Sequence, residues 1–158
     1  MKEHSTYNRA VKLLSFRARS VSELRRQLLR KGEPGPEVEL AITRLTEQKL
    51  LDDADFARQF ARTKLLAAGA SRRRIVQELM RRGVARELAD RAIGELQDSD
   101  GVDPAAEAKR VAEKKWKSLA RLDNFTRRRR LYAFLARRGF DPDEIRSVMT
   151  TLEEQLEA

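Results

Sequence analysis

Three glycines, Gly32, Gly83 and Gly139, each follow two basic residues and anchor a pattern that occurs three times along the chain. Apolar residues lie four and eight positions before each glycine and ten and thirteen positions after it. They are Leu24, Leu28, Ile42 and Leu45, then Ile75, Leu79, Ile93 and Leu96, then Leu131, Leu135, Met149 and Leu152. Agreement at so many offsets indicates one helical unit used three times. The pattern predicts an all-α fold, a tandem array of three three-helix repeats that is elongated and curved.

The same pattern predicts where the chain divides. A polar run without apolar periodicity separates the second and third repeats, and such runs are typical of linkers. We expect the first repeat to occupy residues 1–50, the second 51–97, the linker 98–102 and the third repeat 103–158.

Local signals predict several helix starts. Ser20 and Glu23 have the spacing of a capping box, in which each side chain bonds to the backbone of the other residue. Asp52, Asp53 and Asp55 stand where a helix N-terminus leaves amides unpaired. Three carboxylates could also hold Mg²⁺. The capping role is the simpler interpretation, so we predict no metal site.

The aromatic residues permit two interpretations. Trp116, Phe56, Phe60 and Phe134 could be platforms on which single-stranded bases stack. Trp116 and Phe60, however, lie at the same offset before the apolar anchors of their repeats, which favours a role in the core. We therefore expect both of these rings to be buried at matching positions.

The charge balance limits the class of partner. The chain has 34 Lys and Arg against 25 Asp and Glu, a formal net charge of +9. Such a field attracts polyanions or an acidic protein surface. No apolar stretch is long enough for a secretory signal or a membrane span, so we expect a cytoplasmic protein without membrane association.

Catalysis finds little support in the sequence. The only histidine is His4, there is no cysteine, and no glycine-rich phosphate-binding loop occurs. Because acid–base and nucleophilic chemistry need positioned partners, we predict no catalytic residues, no enzyme activity, no cofactor and no small-molecule substrate.

Clusters of arginine near the start of the middle helix of each repeat are the strongest functional signal. A helix N-terminus disfavours positive charge, and no compensating group is evident in the sequence. We therefore predict a basic surface that contacts DNA phosphates or acidic side chains, against the alternative of a merely solvated face. Its residues are Arg25, Arg26, Arg72, Arg73, Arg74, Arg127, Arg128, Arg129 and Arg130.

A helix-turn-helix protein that reads duplex DNA is a second hypothesis, since three short helices per unit also describe that module. Recognition helices are typically basic. The expected third helices, residues 37–48, 86–95 and 143–155, are acidic or mixed. This alternative stays open.

Three segments resemble the RecX family of regulators of the bacterial RecA recombinase. They are SFRARSVSELRRQLLRKG (15–32), LLDDADFARQF (50–60) and RRRIVQELMRRGV (72–84). The resemblance implies a string of three-helix repeats and a non-enzymatic regulator that binds RecA filaments and inhibits their ATPase and strand exchange. It also implies association with DNA, which we expect to be single-stranded and sequence-independent, and a role in recombination, DNA repair and the SOS response. It assigns no contact residues.

Overall fold

The computed structural model describes the backbone of residues 2–157 and the side chains of residues 5–155. Within that part of the chain there are nine α-helices and no strand, which confirms the predicted all-α fold. A π-helical turn, Lys64–Ala68, continues the fourth helix. The helices are α1 Lys2–Phe16, α2 Val21–Arg30, α3 Gly35–Glu47, α4 Asp53–Thr63, α5 Arg72–Arg81, α6 Arg86–Ser99, α7 Pro104–Ser118, α8 Asn124–Arg137 and α9 Pro142–Glu157.

The helices group into three sets of three along the chain, as the glycine pattern predicts. The α6 helix ends at Ser99, so the first two residues of the predicted linker are helical. The repeat boundaries themselves stay a prediction. Packing contacts divide the chain differently, into two compact units. Unit 1 comprises Met1–Phe60 and Glu78–Ala92, and unit 2 comprises Ala61–Gln77 and Ile93–Ala158.

Side chains cap the N-termini of α2 and α4 as the sequence predicts. The Ser20 hydroxyl accepts from the Glu23 amide at 3.1 Å while Glu23 accepts from the Ser20 amide at 3.3 Å, a complete capping box. Asp52 accepts from the amides of Ala54 and Asp55 at 2.9 and 3.3 Å, which confirms its capping role. The helices therefore begin where unpaired amides find acceptors.

The core of unit 1 lies between α1, α2 and α3. Leu24 and Leu28 from α2 and Val38 and Leu45 from α3 are fully buried there, and Leu51 closes the end. Leu24, Leu28 and Leu45 are the apolar positions that the repeat pattern predicts. The apolar positions predicted from the sequence therefore lie in the core of this unit.

The core of unit 2 lies between α7, α8 and α9. Trp116 is buried with Leu131, Leu135, Ile145 and Leu152, as its repeat position predicts. In unit 1, Phe60 is only half-buried. It stacks on Phe56, with 6.1 Å between ring centroids, and the Arg82 guanidinium lies 5.0 Å from its centroid. The expected match between Phe60 and Trp116 is therefore partial.

A related contact occurs once inside each unit, between the residue before a middle helix and the carbonyl group before a repeat glycine. In unit 1, the Ser20 hydroxyl donates to the carbonyl of Arg82, next to Gly83. In unit 2, the amide of Ser71 donates to the carbonyl of Arg138, next to Gly139, at 3.1 Å. Ser20 and Ser71 are the residues before α2 and α5. Each contact, which we call a repeat joint, thus sets the glycine turn of one repeat on the first turn of the middle helix of the preceding repeat.

Candidate functional site

The arginines of α5 serve the second repeat joint. Arg73 donates to the carbonyl of Gly139 at 2.9 Å, and Arg74 donates to the carbonyl of Arg137 at 2.6 Å. These carbonyls lie at the C-terminal end of α8, where the helix dipole is negative. The expectation that nothing in the fold compensates these charges is therefore wrong for Arg73 and Arg74. Arg72 is exposed, but it also takes part in an interaction within the chain, so it is not counted among the free arginines.

Arg127 is a structural residue of unit 2. Its guanidinium donates twice to the carbonyl of Trp116, at 3.0 and 2.7 Å, and lies 3.7 Å from the centroid of that indole ring. Arg128 forms an ion pair with Glu153 at 2.8 Å. The first two arginines of the α8 cluster thus have partners within the fold.

The start of α8 differs from the expected start near Thr126. The helix begins at Asn124, because Asp123 caps it by accepting from the Thr126 amide at 3.1 Å. Hydrogen bonds from both the side chain and the amide of Thr126 lower the pKa of Asp123 from its ordinary value. The nearby charge of Arg129 adds to the effect. A carboxylate therefore compensates the dipole here, and the arginine cluster lies beyond the first turn.

The α2 arginines divide in the same way. Arg25 makes two parallel hydrogen bonds to Glu39, at 2.7 and 3.2 Å, and this pairing raises the pKa of Arg25 and lowers that of Glu39. Arg26 is exposed and makes no hydrogen bond or ion pair with any described residue. Of this pair, only Arg26 keeps all its side-chain donors for a partner.

Three of the nine predicted contact residues remain exposed without a hydrogen bond or ion pair among the described residues: Arg26, Arg129 and Arg130. The side chains of Arg30, Arg81 and Arg137, which lie two positions before the repeat glycines, are likewise exposed and make no such bond. The predicted basic surface does not include these three, since cations at a helix C-terminus are favourable without any partner. Their identical place in each repeat was the signal that could have identified them.

The outward face of α8 also carries aromatic rings. Phe125 is 75% exposed and Tyr132 is 39% exposed. Neither was a candidate from the sequence. Trp116 is buried, which confirms its core role, and Phe56 is buried too. The guanidinium of Arg138 and the ammonium of Lys115 lie 3.7 and 5.2 Å from the ring centroid of Phe134. The exposed aromatic rings of α8 are therefore not among the four that the sequence offered as stacking platforms.

A cationic cleft of about 520 Å³ lies in unit 2 between the π-helical turn, α7 and α8. Arg110 and Arg138 are held at its edge by bonds to the carbonyls of Leu66 and Ala68, at 2.9 and 2.6 Å, and burial lowers the pKa of Arg138. No carboxylate is among the lining residues, which are Leu66, Ala67, Arg110, Val111, Lys114, Lys115, Ser118, Phe134 and Arg138. The cleft can accommodate an anionic group.

Other kinds of site find no support in the described part of the chain. It contains no group of three or more acidic, cysteine or histidine side chains placed to hold a metal ion. The side chain of His4 lies outside the described residues. Among the described helices, none combines the length and apolar character of a transmembrane span.

Three family models match successive parts of the chain. They are described as RecX, first three-helix domain, over residues 7–45; RecX, second three-helix domain, over 52–93; and RecX, third three-helix domain, over 103–149. The chain is 36% identical over 143 residues to a protein of Pelodictyon phaeoclathratiforme named Regulatory protein RecX, covering 90% of this chain and 86% of that protein. It is 37% identical over 147 residues to the protein of that name in Mycolicibacterium smegmatis, covering 89% and 75%.

Solved structures share the fold. The crystal structure of RecX from Lactobacillus salivarius aligns with a TM-score of 0.76 at 20% identity, over 96% of this chain and 97% of that chain. A second crystal structure, of a regulatory protein RecX, aligns with a TM-score of 0.76 at 23% identity, over 94% and 73%. The three-helix arrangement is therefore common to all three chains.

Proposed function

The chain belongs to the RecX family of regulatory proteins, and from that premise we propose that it binds RecA recombinase filaments on single-stranded DNA and inhibits their ATPase and strand exchange. The proposal makes it a non-enzymatic, cytoplasmic protein. It needs neither cofactor nor small-molecule substrate.

The exposed guanidinium groups of α8 carry the proposal. Arg129 and Arg130 have no hydrogen bond or ion pair among the described residues, and Arg137 lies on the same side of the helix as Arg130, two turns further on. An arginine that serves no fold contact keeps its planar fork for phosphate or carboxylate. We propose these three residues, with Arg26, as contacts to the polyanionic part of the filament.

The remaining arginines of the predicted surface have a different place in the proposal. Arg25, Arg73, Arg74, Arg127 and Arg128 are held by carboxylates or backbone carbonyls, so their first role is to hold the fold. Arginine has several donors, and those not used internally can still reach a partner. Their contribution to binding should be smaller than that of the unpaired groups.

Inhibition of ATP hydrolysis by RecA filaments on single-stranded DNA tests the proposal. The chain should inhibit it in a concentration-dependent manner and should hydrolyse no ATP alone. The double variant Arg129→Gln/Arg130→Gln should need a higher concentration for the same inhibition. The control Arg91→Gln/Lys117→Gln removes two exposed cations from α6 and α7 and should inhibit like the parent.

Two results would contradict the proposal. A parent chain that leaves hydrolysis unchanged at saturating concentration would remove the filament as the partner. Tight binding to one duplex sequence over others, with no effect on filaments, would favour the helix-turn-helix alternative.

A further inference from the structure

The outward face of α8 presents two aromatic rings with an arginine between them. Phe125, Arg129 and Tyr132 are spaced by four and three residues, so they lie in one row along the helix. The Cα atoms of Phe125 and Tyr132 are about 10 Å apart along the helix axis, given the helical rise per residue. The row belongs entirely to unit 2.

Neither ring belongs to the core cluster of its unit. Phe125 is 75% and Tyr132 39% exposed, and neither makes a ring contact or a side-chain hydrogen bond with any described residue. The core contacts of this helix are supplied instead by Leu131 and Leu135. A single exposed apolar side chain is common on protein surfaces, but a contiguous row of them is typical of an interaction site.

The charge beside the rings selects the kind of ligand. Arg129 stands within the row, and Arg130 and Arg137 lie about a third of a turn further around the helix. All three are exposed and without ion pairs in the described part of the chain. The neighbouring side chains of Ala133 and Ala136 are small, so they do not cover the rings or the guanidinium groups. A ligand that fits must offer flat apolar faces and negative charges along one line. Unpaired nucleotides have that combination.

We propose that this row, Phe125–Arg129–Tyr132, is a stacking site for the bases of single-stranded nucleic acid, with Arg129, Arg130 and Arg137 holding the adjoining phosphates. The inference rests on the proposed function for the source of the strand, the DNA of the filament, and adds how the strand is held. Duplex DNA, whose bases are already stacked on one another, should bind only through its phosphates.

An oligo-dT strand and an abasic strand of equal length separate stacking from charge, because the abasic strand keeps every phosphate and lacks the bases. The parent chain should bind the oligo-dT strand more tightly in a fluorescence-anisotropy titration at fixed ionic strength. Phe125→Leu and Tyr132→Leu should each weaken oligo-dT binding about tenfold and leave binding to the abasic strand unchanged. Phe125→Trp should retain the preference for bases.

Phe16→Leu is the matched control, since Phe16 is a phenylalanine with 73% exposure on α1 in unit 1. It should bind both strands like the parent. Equal affinity of the parent for the two strands would overturn the stacking site. So would Phe125→Leu losing inhibition of the filament ATPase while its DNA binding is intact, a result that would make the row a protein-docking surface.

The inference and the proposed function can fail separately. A parent chain that inhibits filaments without any preference for bases would contradict only the stacking site. If the parent prefers bases and Phe125→Leu abolishes that preference, the stacking site is supported. If the same parent has no effect on the filament ATPase, the proposed function is contradicted.

Discussion

Gly83 lies so close to Ser22 that a Cβ atom on the glycine would stand 2.2 Å from the Cβ of the serine. Gly139 has the same relation to α5, where an added Cβ would stand 2.6 Å from that of Arg74. Both glycines have positive φ angles, +81° and +93°. The glycine turn of one repeat thus lies directly on the first turn of another middle helix, and each repeat joint depends on a missing side chain.

Replacing Gly83 with alanine tests this relation. Gly83→Ala should destabilise the protein by about 2–4 kcal/mol, because the left-handed backbone costs an alanine about 1–2 kcal/mol and the overlap with Ser22 adds a comparable amount. Gly32→Ala is the matched control. Gly32 has φ +83° and the same turn hydrogen bonds, yet an added Cβ would meet no atom within 4 Å.

Urea denaturation measures both changes in the free energy of unfolding. Gly32→Ala should lose only the backbone cost, and Gly139→Ala should resemble Gly83→Ala. Equal losses at Gly32 and Gly83 would show that Ser22 can move aside, so that the close approach in the joint carries no energy.

The two α8 arginines Arg127 and Arg129 should separate stability from binding. Arg127→Ala removes two charge-assisted hydrogen bonds to the Trp116 carbonyl and a cation–π contact, a loss of about 1–3 kcal/mol. Arg129→Ala removes no fold contact and should stay within about 0.5 kcal/mol of the parent. Trp116 is the only tryptophan, so its fluorescence during urea denaturation reports both variants. A loss for Arg129→Ala as large as for Arg127→Ala would refute the distinction.

Features set by neighbours in sequence were predictable. The capping box of Ser20 and Glu23 and the glycine at the end of α2 are local, since each bond spans only a few residues. The apolar positions of the core followed from periodicity. These features identified the fold before any tertiary contact was known.

Features set by distant residues were not predictable in the same way. Arg127 and Arg129 are equivalent in sequence, but only Arg127 faces α7 and meets Trp116. Arg73 finds the carbonyl of Gly139, 66 residues away. Which arginines remain available is a property of the folded neighbourhood, so the sequence could identify the clusters but not their free members.

Asp53 provides a pH test of unit 1. This half-buried carboxylate accepts from the Val21 amide at 2.8 Å, and burial raises its pKa, with Asp52 and Glu23 adding to the effect and the amide bond and Arg25 opposing it. A raised pKa means that the folded state holds the proton more tightly than the unfolded state. The ionised group therefore reduces stability, and does so increasingly as pH rises through the raised pKa.

Asp53→Asn keeps an acceptor for the Val21 amide and removes the charge. Its Tm should exceed that of the parent at pH 7, and the difference should close as pH falls below the ordinary pKa of aspartate, where the parent is protonated too. Thermal denaturation by circular dichroism across this range measures it. A difference of constant size would assign the effect to packing, and a lower Tm at pH 7 would mean that the charge stabilises the start of α2.

The last prediction concerns salt. If Arg129 and Arg130 contact phosphates, each lost contact should lower the slope of log affinity against log salt for single-stranded DNA by about 0.7, irrespective of base sequence. If they contact acidic side chains of the recombinase instead, filament inhibition should fall while binding to bare DNA hardly changes. Titrating Arg129→Gln/Arg130→Gln over a salt series, with filament inhibition measured in parallel, separates these outcomes.

Arg73→Gln/Arg74→Gln is the informative comparison in that series, since it removes the same charge from residues that hold the second repeat joint. It should lower the free energy of unfolding and leave most of the salt slope intact. The α8 variant should leave the free energy of unfolding intact and lower the salt slope. The reversed pattern would place the binding surface on α5. If both variants bind DNA and inhibit filaments like the parent, the arginine clusters form only a solvated face, and the contact to the polyanion lies elsewhere on the chain.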